Sequence, residues 1–164
     1  FLSGLIVRHK QDTKYDGTYI IPGNHIDEQL EFFGLYNTAN VRVIGSLGNY
    51  AFHSMRKGTV TIEGNTINFL GTEMRGGTIT VYGNTNDFLG HNMSKGKITI
   101  HGNAGRCTGS EIRGGTLEIE GSLGSISPDI DYFPPFRCHG KIIHQGKNVF
   151  YKQSWYKKLF GWIK

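Results

Sequence analysis

The chain has 164 residues, a formal charge of +5, 24 glycines and 4 prolines, a length that fits one ordinary domain. Two cysteines, Cys107 and Cys138, are too few for a disulfide scaffold, so a cytoplasmic chain with reduced thiols is the expectation. No apolar run reaches the roughly 20 residues that span a bilayer, and the lysines of the last segment occur without a nucleic-acid-binding module, so neither a membrane nor a nucleic acid is expected as partner. The chain starts at Phe1 rather than Met, which leaves a removed leading segment open.

Residues 1–16 lack any repeat and read as a lead-in. From residue 17 the chain becomes periodic. Gly45, Gly64, Gly83, Gly102 and Gly121 are each 19 residues apart, and Gly58, Gly77, Gly96 and Gly115 keep the same step. A fixed period of this length marks a solenoid whose coils stack on one another. The first copy is 17–24; the next coil, Gly23 to Gly45, is 22 residues long and carries extra residues after Pro22, as a capping coil does.

The residues before each first-comb glycine alternate in polarity, with Val41 and Val43, Val60 and Ile62, Ile79 and Val81, Ile98 and Ile100, and Leu117 and Ile119 apolar. Period-two alternation makes half-buried strands, and copies running in one direction pair in parallel. Met55, Met74, Met93 and Ile112 share one offset, and Tyr50, Phe69, Phe88 and Cys107 another. Both columns are expected to fill the hollow of the coil. Gly76-Gly77 and Gly114-Gly115 are expected to turn through φ > 0. The column Asn65, Asn84 and Asn103, with Ser46 and Ser122 at its ends, is expected to carry hydrogen bonds from coil to coil.

After Gly121 the rhythm stretches, because the strand Lys141 to Gln145 closes a coil of 25 residues whose insert contains Pro128, Pro134 and Pro135. The aromatic residues of that insert, Phe133 and Phe136 among them, are expected either to cap the end of the stack or to contact a partner. The tail, 147–164, places Trp155, Leu159 and Trp162 on one face if helical, with lysines elsewhere, and is expected to dock on the solenoid or on a partner protein. The expected fold is therefore all-β, a parallel β-solenoid of about six to seven coils over 17–146 followed by a short basic amphipathic tail.

Candidates for chemistry are few. Cys138, His139 and His144 have the residue types of a metal or nucleophile site, but His144 falls on an inward strand position and His139 in the turn before it. His53, His91 and His101 are expected to form no column. The carboxylates are scattered, with Glu73 and Glu111 separated by an intervening coil, so paired acid and base action is not expected. Arg56, Arg75 and Arg113 form a column interrupted by Ser94, suited to anions or to a partner's carboxylates.

The pattern at 64–83 and 83–102, with Gly64, Gly71, Met74, Gly77, Ile79 and Val81 repeated as Gly83, Gly90, Met93, Gly96, Ile98 and Ile100, resembles the GXGXG-motif β-helix. That domain is shared by the β-helical subunit of formylmethanofuran dehydrogenase and the C-terminal part of the glutamate synthase large subunit. Departures are Phe52 at a glycine position, Ile112 for Met, and the proline-rich insert. The resemblance implies a right-handed β-helix that performs no catalysis and binds no cofactor itself. It implies a scaffold subunit of a one-carbon complex, a dehydrogenase or a formyltransferase/hydrolase. Partner subunits would carry the chemistry, with a molybdenum or tungsten pterin and metals if the dehydrogenase likeness holds. A free-standing glutamate-synthase-type domain protein is the alternative, and an enzyme using Cys138, His139 and His144 a more distant one. Partner-facing residues are then Arg56, Arg75, Arg113, Phe133, Phe136, Trp155 and Trp162, with self-association left open.

Overall fold

The computed structural model describes residues 18–20 (backbone only), 31–126 and 140–149. The lead-in, most of the proline-rich insert with Phe133, Phe136, Cys138 and His139, and the tail residues Trp155 and Trp162 lie outside the described residues.

Among the described residues eight strands form one sheet in chain order: β1 (Thr18–Ile20), β2 (Val41–Ile44), β3 (Thr59–Glu63), β4 (Arg75–Val81), β5 (Lys95–Ile100), β6 (Thr116–Ile119), β7 (Lys141–His144) and β8 (Lys147–Asn148). Among the described residues there is no helix. Each pairing from β1 to β7 is parallel. Val41 faces Val60, Val60 faces Ile79, Ile79 faces Ile98 and Ile98 faces Leu117, which is four consecutive steps of 19 residues. The sequence repeat is thus the physical coil of a parallel β-solenoid.

The two end steps differ. Thr116 faces Lys141, the expected step of 25. At the other end Thr18 faces Arg42, a step of 24 instead of the expected 22. A slip of two leaves the alternation in phase, so the hydrophobic pattern alone does not fix that register. The last strand is a further departure: β8 pairs antiparallel with β7 through a turn at Gln145 and Gly146, both at positive φ, so residues 147–148 belong to the sheet and not to a helical tail.

The strand residues expected to point inward do so. Val43, Val60, Ile62, Ile79, Val81, Ile98, Ile100, Leu117 and Ile119 have no exposed surface, and each such side chain stabilises the fold by about 1.5–3 kcal/mol. Met55, Met74, Met93 and Ile112 are equally buried on the facing wall. Gly77 (φ 88°), Gly96 (φ 98°) and Gly115 (φ 89°) sit beside that column. A Cβ at Gly77 would lie 2.6 Å from the Met55 methyl, and one at Gly96 would lie 2.8 Å from the Met74 methyl. Positive φ is confined to the second glycine of each pair; Gly76 and Gly114 are glycine because the Arg56 and Ser94 carbonyls of the preceding coil approach them.

The other apolar column runs contrary to expectation. Tyr50, Phe69, Phe88 and Cys107 are half-buried and stand outside the hollow, while their chain neighbours Ala51, Leu70, Leu89 and Thr108 fill it. The reason lies in the turn. Residues 69, 71 and 73 all have φ near +60°, as do 50, 52 and 54, and 88, 90 and 92. Alternation with left-handed residues keeps the turn laddered. The N–H of Phe69 donates to Asp87 O and that of Glu73 to His91 O in the next coil, whereas the N–H of Gly71 donates to Ala51 O in the previous one. Each non-glycine residue there costs about 1–2 kcal/mol, offset by satisfying the backbone donors. The same geometry aims the aromatic rings outward, where Phe32, Tyr50, Phe69 and Phe88 stack at 4.6–4.8 Å with planes within 7°.

Phe52 is the informative exception in the glycine column. It is fully buried at φ 54°, and its ring occupies the space that a side chain at Gly34 would need. One large residue replaces what glycine leaves open in the coil before it.

Candidate interaction surface

Polar side chains at the end of each strand are consumed by the stack. Asn65 Oδ1 accepts from the Asn84 N–H, Asn84 Oδ1 from Asn103 N–H and Asn103 Oδ1 from Ser122 N–H, all at 2.8 Å, and Ser46 Oγ accepts from Asn65 N–H at 3.0 Å. A second ladder, not foreseen from the sequence, runs through Asn49, Asn68 and Asp87 to the N–H of Arg106. Polar and charged side chains on the outward strand face and beyond the strand ends pair with carboxylates of neighbouring coils. Arg42 Nε donates to Glu63 at 2.6 Å, His101 Nδ1–H to Glu120 at 2.8 Å, and Arg106 reaches Asp87 at 3.4 Å.

The corner where each strand starts is different. Arg56, Arg75 and Arg113 project there from equivalent positions and are exposed, as the sequence column anticipates. Arg75 lies 3.8 Å from Glu73, a long contact between solvated groups worth little. Arg56 covers the Tyr36 ring at 5.3 Å from its centroid. Sequence reasoning missed four lysines beside this column: Lys57, Lys95, Lys97 and Lys141. The signal was available, since Lys57 and Lys95 sit one position after the arginine column, two coils apart. At the coil where Ser94 interrupts the arginines, Lys95 supplies the charge. Lys97 is paired with Glu118 at 2.6 Å, whereas Lys57, Lys95, Arg113 and Lys141 make no ion pair with any described residue.

The proposed metal or nucleophile set is only one-third described. His144 is in the inward column as expected, opposite Ile119, and its Nε2 lies 2.8 Å from the Gly121 carbonyl. A carbonyl only accepts, so Nε2 carries the proton and His144 is held as a donor within the last coil. Among the described residues no three His, Cys, Asp or Glu side chains come together as a metal-binding group.

His53 and His91, expected to be unrelated, share one column two coils apart and lie against the edges of the aromatic stack, at 6.3 Å from Tyr50 and 6.2 Å from Phe69. His101 belongs elsewhere, stacked on Tyr82 at 4.7 Å. Cys107 continues the aromatic column and is half-buried, not enclosed in the hollow.

Compared with known proteins, the chain matches no family model, no curated sequence and no solved structure. Among the described residues no helix is long and apolar enough to cross a membrane.

Proposed function

We propose that this chain is a non-catalytic scaffold subunit, a rigid β-solenoid that holds catalytic partner subunits of a one-carbon enzyme complex in place. The observation carrying the proposal is that each coil spends its polar side chains on its neighbours. The asparagine and aspartate columns bond to backbone N–H groups of the next coil, and side chains on the outward strand face and beyond the strand ends pair across coils. What remains is a regular surface with an exposed charged corner, suited to binding another protein.

The one-carbon assignment rests on the likeness of residues 64–102 to the GXGXG motif. Right-handed winding belongs to the same proposal and is supported by the strong preference of parallel strand connections for that hand. So do a cytoplasmic location, six to seven coils counting the ends, and a pterin or metals held by the partners.

Purification of the tagged chain from its native cells tests the reading. The expected outcome is recovery in fixed ratio with larger subunits that carry the catalytic cofactors. Recovery as a lone monomer would overturn it.

A further inference from the structure

We infer that the strand-start corner is a docking ridge for an acidic polypeptide segment of a partner protein, an inference that rests on the scaffold reading. Arg56, Lys57, Arg75, Lys95, Lys97, Arg113 and Lys141 line this corner and all seven are exposed. Among the described residues, Glu73 and Glu111 precede Arg75 and Arg113 by two positions and Glu118 lies on β6. Glu118 is engaged by Lys97 and Glu73 faces Arg75, so among the described residues the stripe keeps an excess of positive charge. The strand-end corner is the internal control. The same repeat places His101 and Arg106 beyond the strand end and Arg42 on the outward face of β2, and each meets a carboxylate of a neighbouring coil. Repeat geometry therefore permits neutralisation between coils. At the strand-start corner Lys97–Glu118 is the one such pair between coils among the described residues, and Lys57, Lys95, Arg113 and Lys141 have none there.

The stripe is straight, because equivalent residues stack coil upon coil, and from Arg56 to Lys141 it crosses four coil steps, about 19 Å at the usual strand spacing. Flexible lysines and arginines over that length match a run of Asp and Glu side chains, with the arginines able to grip carboxylates through two N–H groups each. A nucleic acid would also answer to the charge. It is disfavoured because single strands bind through exposed aromatic faces. Here the Tyr50 and Phe69 faces are taken up within the stack and Arg56 covers Tyr36.

The test is fluorescence anisotropy on the full chain with two probes, a labelled oligoglutamate of about ten residues, long enough to span the ridge, and an oligothymidylate of the same length. Oligoglutamate is expected to bind, to weaken steeply as salt rises, and to bind about tenfold or more weakly to the R56E/R75E/R113E variant. Lys147→Glu, at the other corner, is expected to leave binding unchanged. No binding by the wild type, or equal binding by the triple variant, overturns the inference. Tighter binding of oligothymidylate than of oligoglutamate overturns the choice of a polypeptide. If the triple variant fails to melt cooperatively, K95A/R113A carries the same comparison. A native complex that still assembles around the triple variant overturns the ridge and leaves the scaffold reading standing. A lone wild-type chain removes the scaffold reading, while the oligoglutamate result still decides the ridge.

Discussion

The methionine and aromatic columns lie five residues apart in the same coil, both apolar and both repeating every 19 residues, yet Met74 has no exposed surface and Phe69 stands half in solvent. Their difference teaches that a period fixes which residues stack on one another but not which side of the wall they stack on. That side is set by backbone conformation. Left-handed residues at 69, 71 and 73 turn the aromatic ring out, while Met74 just beyond them points in. The two columns therefore carry different loads, one filling the core and one clamping coils together from outside.

Substitutions should separate these loads. The largest effect is expected for Gly77→Val, which combines a β-branched residue at φ 88° with a Cβ overlapping the Met55 methyl. Overpacking together with a forbidden backbone should cost about 3 kcal/mol or more, read as loss of the cooperative melting transition. Met74→Ala empties the hollow and should cost about 2–5 kcal/mol in urea unfolding. Phe69→Ala breaks three ring contacts, with Tyr50, Phe88 and His91, while keeping the hollow full, and a loss of about 1–2 kcal/mol is expected. If Phe69→Ala proves as costly as Met74→Ala, the division between core and clamp is wrong. Asn84→Ala leaves the exposed Asn103 N–H without its protein acceptor and should cost about 0.5–1.5 kcal/mol, with faster amide exchange at Asn103. At the bottom of the series Arg113→Ala should shift stability by less than about 0.5 kcal/mol, because its side chain is exposed and makes no ion pair with any described residue.

Much of the fold was legible because the glycine combs state the period outright, and alternation in Val60-Thr61-Ile62 states which strand residues face in. The asparagine ladder was legible for the same reason, as identical residues one period apart must lie against each other. What escaped was local. Phe69 is as apolar as Leu70, so composition could not say which of them enters the hollow; that depended on a positive φ that non-glycine residues rarely adopt. The antiparallel β8 escaped because Lys147 and Asn148 carry no strand signature, and the turn at Gln145-Gly146 sets their direction. At the surface, the arginine column was visible by its offset. Its lysine companions were missed because they are displaced from that offset: Lys57 and Lys95 by one position, a shift the sequence does show, and Lys97 and Lys141 by three, so that these two meet the arginines only when the coil is wound.

The central claim is that this chain organises chemistry performed by others. Its most direct measurement is the turnover of the assembled complex, per catalytic centre, in cells carrying the R56E/R75E/R113E variant in place of the wild type. Scaffolding predicts less assembled complex with unchanged kcat in each complex that does form. A full yield of complex with kcat collapsed would place this chain in the reaction itself and contradict the account.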